Sequence, residues 1–102
     1  MKDNNTVLVW LQSWLKCQNE NELKNPCEVE IETVGDLGWH VTIHVTDAAY
    51  HTVNIPIKSV EYSENDWYYY RMYNGKYEAS GDSGKLELLL QQFKLMMEKT
   101  VT

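Results

Sequence analysis

The dipeptide Asn74-Gly75, set inside "YYYRMYNGKYEASG", constrains this chain more than any other feature. Asn and Gly both tolerate positive φ, and between two alternating segments they form the two-residue turn of a β-hairpin. Pairing Tyr73 with Lys76 sets Met72 against Tyr77, Arg71 against Glu78 and Tyr70 against Ala79. One face of the hairpin then carries Tyr68, Tyr70, Met72, Tyr77 and Ala79 and is core-like. The other carries Trp67, Tyr69, Arg71, Tyr73, Lys76 and Glu78, where rings mix with charges. A fold built on this hairpin must bury the first face, and it must either cover or present the second.

The same period of two runs upstream. In "CEVEIETV", Cys27, Val29 and Ile31 point one way and Glu28, Glu30 and Glu32 the other. "GDLG" supplies a turn, and in "WHVTIHV" the residues Trp39, Val41, Ile43 and Val45 oppose His40, Thr42 and His44. Matching the apolar faces sets Glu opposite His or Thr and excludes a register that pairs Glu32 with Val41. A third strand is expected at "HTVNIPI", with Val53, Ile55 and Ile57 on one face; Pro56 has no N–H to give a ladder, which places that strand at an edge or in a bulge.

The ends change period. Val7, Trp10, Leu11, Trp14 and Leu15 recur at steps of three and four, which predicts a helix over 6–18. "NENELKNP" follows as a polar loop. Leu86, Leu89, Leu90, Phe93, Met96 and Met97 predict a second helix over 83–99, capped by Asp82 or Ser83. Leu88 and Leu95 lie off that stripe, as second-layer contacts with the first helix or as a dimer or partner surface. The expected fold class is α+β: one domain over residues 1–102, an antiparallel β-meander of about five strands with an N-terminal and a C-terminal helix packed on it.

Most chemistries are unsupported by these residues. The 102-residue chain is 43% apolar, enough for one modest core. No apolar stretch approaches the length of a membrane span, and "MKDNNT" enters "VLVWLQSWL" with no cleavage site, so a cytoplasmic product is expected, with Cys17 and Cys27 as reduced thiols. The net charge of −6 weighs against nucleic acid, which needs clustered Lys and Arg, and favours a neutral or basic partner. His40 and His44 lie four residues apart on a strand, about 13 Å, too far to share one metal ion unaided. The chain has no GxSxG, HExxH, GxGxxG or P-loop, so no catalytic residue, metal or cofactor is expected. The alternative is a small ligand- or metal-binding domain, or an enzyme, using His40, His44 or His51 beside the Glu row.

The candidate partner-binding residues are therefore those of the outer sheet face: Glu28, Glu30, Glu32, His40, His44, Trp67, Tyr69, Arg71 and Tyr73. The three carboxylates form either a solvated face or a strip that docks a basic partner. Trp67, Tyr69 and Tyr73 are either covered by another element or serve as anchors, for which Trp, Tyr and Arg are the favoured types.

Four motifs add a resemblance. "WLQSW" (Trp10 to Trp14), "IETVGDLGW" (Ile31 to Trp39), "SENDW" (Ser63 to Trp67) and "GKYEASG" (Gly75 to Gly81), in this order, resemble the immunity protein 53 family of bacterial polymorphic toxin systems. The resemblance runs from Trp10 to the closing helix. It implies a small non-enzymatic protein, encoded beside a toxin gene, that binds and neutralises a cognate toxin domain. A monomer or weak homodimer is expected, with neither nucleic acid nor membrane as a partner. One segment departs from the family pattern: where members carry an acidic, Gly- and Trp-containing stretch ending in Glu-His, "NENELKNPC" has Leu23, Lys24-Asn25 and, at an aromatic position, Cys27. If that loop sets the choice of toxin, the departure implies a cognate toxin different from that of typical members.

Overall fold

The computed structural model of the chain describes residues 6–21, 26–35, 38–46 and 50–101. Thr6 starts the first helix, α1 (Val7–Asn21): its hydroxyl accepts the Val9 N–H at 3.2 Å and its carbonyl the Trp10 N–H at 3.1 Å. A cap of this kind satisfies N–H groups that have no partner within a helix. The helix runs past the expected end at Gln18, and Asn19 in its last turn reaches the strand that follows. The Asn19 amide accepts the Cys27 N–H at 2.7 Å and donates to the Cys27 carbonyl at 3.4 Å, so helix and strand are tied on either side of "NELKNP". The expected loop residues 22–25 lie outside the described residues.

Five strands follow: β1 (Glu28–Val34), β2 (Gly38–His44), β3 (Ile55–Ser63), β4 (Asp66–Tyr73) and β5 (Lys76–Asp82). They form one antiparallel sheet, and α2 (Leu86–Val101) closes the chain, so the α+β architecture with a helix at each end holds. The order across the sheet is β1-β2-β5-β4-β3. The five strands therefore do not form the single meander expected: a hairpin, β1-β2, and a meander, β3-β4-β5, are joined by the pairing of β2 with β5. Where those two strands meet, a Cβ on Gly38 would collide with the Gly81 carbonyl oxygen, so the glycine permits the close backbone approach.

Both hairpin registers agree with the alternation patterns. Glu28, Glu30 and Glu32 face His44, Thr42 and His40. Tyr73 faces Lys76 across Asn74 (φ 54°) and Gly75 (φ 78°), with Met72 on Tyr77, Arg71 on Glu78 and Tyr70 on Ala79. Gly35 also takes positive φ after β1, while Asp36 and Leu37 of the "GDLG" turn lie outside the described residues.

The third strand corrects the sequence reading. It runs over Ile55–Ser63 rather than 51–57, and Val53 precedes it, its N–H bonded to the Tyr50 carbonyl at 3.2 Å. Between the pairs Ile55–Met72 and Lys58–Tyr70 the register slips by one residue, so Pro56 and Ile57 stand opposite a single position of β4. That bulge reverses the alternation: Ile55 packs toward the core, Ile57 is 58% exposed, and Lys58 and Val60 take the inner face beyond it. Pro56 thus marks a bulge in an edge strand, as its missing N–H requires.

The core lies on one side of the sheet. Val41, Ile43, Met72, Tyr77 and Ala79 supply the strand layer, and Leu89, Leu90, Phe93, Met96 and Met97 of α2 cover it. Helix α1 joins through Val7 and Leu11 and through Trp14, whose ring meets Phe93 edge-on at 5.0 Å; Trp10 stacks beside Trp14 at 6.1 Å. Tyr77 is buried among them and donates its phenol to the Leu89 carbonyl at 2.6 Å. Burial, with Tyr70 nearby, pushes that phenol well above its ordinary pKa. Leu88 packs against this core, whereas Leu95 is 49% exposed.

Helix α2 begins at Leu86, later than its pattern predicts, and neither Asp82 nor Ser83 caps it. The Lys85 carbonyl accepts the Leu89 N–H, while Asp82 closes the turn before the helix by accepting the Gly84 N–H at 2.8 Å. Asp82 is committed elsewhere as well: it accepts the Trp67 N–H at 2.9 Å and pairs with the Lys85 ammonium, which bridges to Asp66. The Lys85 ammonium, with those backbone donors, holds the Asp82 carboxyl at about 2 against the opposing cost of desolvation. The turn into the helix is therefore anchored to the start of β4 and the end of β5 by a charge cluster. Cys17 is exposed and Cys27 buried, and neither forms a disulfide.

Candidate functional site

With the core on one side, the even-numbered residues of β1, β2 and β5 and the odd-numbered residues of β4 share the opposite face. Cross-strand pairing arranges them in rows: Glu32, His40, Ser80, Tyr69 and Ser59 in one; Glu30, Thr42, Glu78 and Arg71 in the next; Glu28, His44, Lys76 and Tyr73 in a third. Trp67 stands at the end of β4 opposite Glu61. All nine candidate residues fall on this face. The carboxylate row of β1 and the aromatic row of β4 are three strand spacings apart, about 14 Å, with a polar middle between them.

Exposure grades across the face. Glu28, Glu30 and Glu32 are open to solvent, and His40 and His44 are half-buried beside them. In the middle, Thr42 and Ser80 are buried, and the Ser80 hydroxyl donates to the Trp39 carbonyl at 2.9 Å. Trp67, Tyr69 and Arg71 are half-buried and Tyr73 is 40% exposed. No described helix lies over them.

The centre is organised by Glu78. Arg71 donates to one of its oxygens through Nε at 3.0 Å and Nη2 at 2.7 Å, and Lys76 Nζ lies 3.5 Å from the other. The Arg71 hydrogen bond, with Lys76 assisting and desolvation opposing, keeps the Glu78 carboxyl below its ordinary range. The Arg71 guanidinium also sits 4.8 Å from the Tyr73 ring centre, a cation–π contact that orients both. Arg71 thereby holds Tyr73 in a fixed pose on an exposed surface, an arrangement that lowers the ordering cost of using the ring as an anchor.

The patterns in "WHVTIHV" and "YYYRMYNGKYEASG" place the residues of each hairpin, but the junction between the hairpins, His40 beside Ser80, Thr42 beside Glu78 and His44 beside Lys76, depends on β2 pairing with β5. No local signal encodes that contact. The three histidines do not converge: His44 and His51 line a hollow with Thr46, Asn74 and Gly75, His51 Nε2 lies 3.2 Å from the Val45 carbonyl oxygen, and His40 sits further along β2. The described residues contain no group of three or more His, Cys, Asp or Glu placed to hold a metal ion. No described helix is long and apolar enough to cross a membrane.

Comparison with known proteins gives one result. Neither the curated proteins nor the solved structures contain a significant match to this chain. The family model for immunity protein 53 matches residues 8–98, from the first turn of α1 to the last turns of α2. The sheet, its open face and nearly all of both helices thus fall within the matched span, and the chain belongs to the immunity protein 53 family.

Proposed function

We propose that this protein binds a cognate toxin domain and neutralises it without catalysis, through the open outer face of its sheet. The observation that carries this reading is the face itself: an exposed row of three carboxylates and a row of half-exposed aromatics share one side of the sheet, opposite a core that already uses both helices. Membership of an immunity protein family supports a toxin as the partner. A basic toxin surface fits the charge of −6. Glu28, Glu30 and Glu32, with His40 and His44 behind them, steer and orient it, while Trp67, Tyr69 and Tyr73, the last braced by Arg71, supply desolvated contact. The inhibitor acts as a monomer or weak homodimer.

Calorimetric titration with the C-terminal domain of the protein encoded immediately upstream tests this. The expected result is tight, roughly one-to-one binding, weakened by about 2 kcal/mol or more in Trp67→Ala or Tyr69→Ala with the unfolding midpoint little changed. Absence of binding would refute the reading. Loss of folding in either variant would assign that ring to the core instead.

A further inference from the structure

The two edges of the sheet are built differently. β3 carries the devices that protect an edge: Pro56, the inner-facing Lys58 and two interruptions of register. β1 carries none of these and is guarded only by the three glutamates of its outer face. Its seven residues pair with β2 in unbroken register from Glu28–His44 to Val34–Gly38, without proline, glycine, lysine or bulge. No described strand pairs with its other side, so alternate backbone N–H and C=O groups along it point outward in the plane of the sheet.

The side chains of β1 are also unfinished. On the inner face Ile31 remains 38% exposed, because α2 packs over β2 and β5 and stops short of β1. On the outer face stand Glu28, Glu30 and Glu32. A strand added here must therefore alternate, with apolar residues continuing the inner layer over Ile31 and basic residues beside the carboxylates.

A second copy of this chain does not meet that requirement. Antiparallel pairing of β1 with its own copy, with the apolar faces matched, sets like charges directly opposite one another: Glu30 against Glu30 and Glu28 against Glu32 when centred on Glu30, or Glu30 against Glu32 when centred on Ile31. The carboxylates that attract a basic strand repel the symmetric partner.

We infer that β1 is an open docking edge that accepts an extended segment of another protein as a sixth strand, one alternating basic and apolar residues. Main-chain hydrogen bonds give the affinity and the Glu row selects the occupant. If the reading above is right, that segment belongs to the toxin; the edge's preference for a basic alternating strand holds independently of it.

Amide hydrogen exchange followed by NMR tests this, first on the complex with the toxin domain. Slowed exchange at outward-facing amides of β1, with β3 unchanged, is the expected result. A complex in which the β1 amides exchange as in the free protein overturns the inference while leaving the inhibitor reading intact. Should the toxin domain not bind, the probe is the peptide Lys-Val-Lys-Val-Lys-Val-Lys, with its glutamate counterpart as control. Perturbation of β1 amides by the lysine peptide alone supports the edge, and equal or no response to the two peptides overturns it. Proline at position 30 or 31 adds a control. Whichever of Glu30→Pro and Ile31→Pro replaces an outward N–H keeps the β1–β2 ladder, and it should fold normally yet lose affinity by about tenfold.

Discussion

Tyr77 shows how one residue serves the fold in two ways, with its ring packed against Phe93 in the core, centres 5.2 Å apart, and its hydroxyl donating to a helix carbonyl. Tyr77→Phe keeps the ring and removes the second hydrogen bond to the Leu89 carbonyl, which retains its partner within the helix, and is expected to cost about 0.5–1.5 kcal/mol in denaturant unfolding. Asp82 gives a pH signature. Its carboxyl titrates at about 2 in the folded chain against an ordinary 3.8, so in that window the unfolded chain binds the extra proton. Its contribution is present above 3.8 and fades as pH falls toward 2. Asp82→Asn should flatten acid unfolding in this window, measured as midpoint against pH. The inward aromatics were legible residue by residue, because alternation fixes the face of each one. The commitments of Asp82 were not, since they join residues of β4, β5 and the turn before α2 that only the folded chain brings together.

At the level of elements, the turn at Asn74-Gly75 does more than reverse the chain. Its Gly75 carbonyl accepts the Val45 N–H at 2.7 Å, and a Cβ on Gly75 would lie 2.7 Å from the Val45 carbonyl oxygen and 2.6 Å from the His51 ring. Gly75→Ala combines that clash with an unfavourable φ, and is expected to cost about 1–3 kcal/mol in thermal unfolding. Asn74→Gly at the same turn should be tolerated, because glycine adopts the same φ without strain. The hairpin was readable because Asn-Gly and its flanks agree on one register, and β1-β2 because Glu had to face His or Thr. β3 was misplaced because a bulge breaks the period of two on which strand reading rests: Ile57 follows Ile55 in phase along the sequence and faces away from it in the sheet.

For the whole molecule, the decisive feature is that both helices serve one side of the sheet, which leaves the other side open with its charges in rows. Neither helix pattern encodes that choice of side. The nine face residues could be named from the sequence, but whether they were covered could not. The reading of this face as the toxin-binding surface is tested most directly by association kinetics of the wild type and a Glu28→Lys/Glu30→Lys/Glu32→Lys variant with the toxin domain, at low and at physiological salt. Reversing the row takes the formal net charge from −6 to zero and opposes a basic partner at the contact itself. Association of the variant is predicted to be slower by about tenfold or more at low salt, with the gap narrowing as salt screens the charges. Equal rates for the two proteins at low salt would contradict this and place the toxin on another surface.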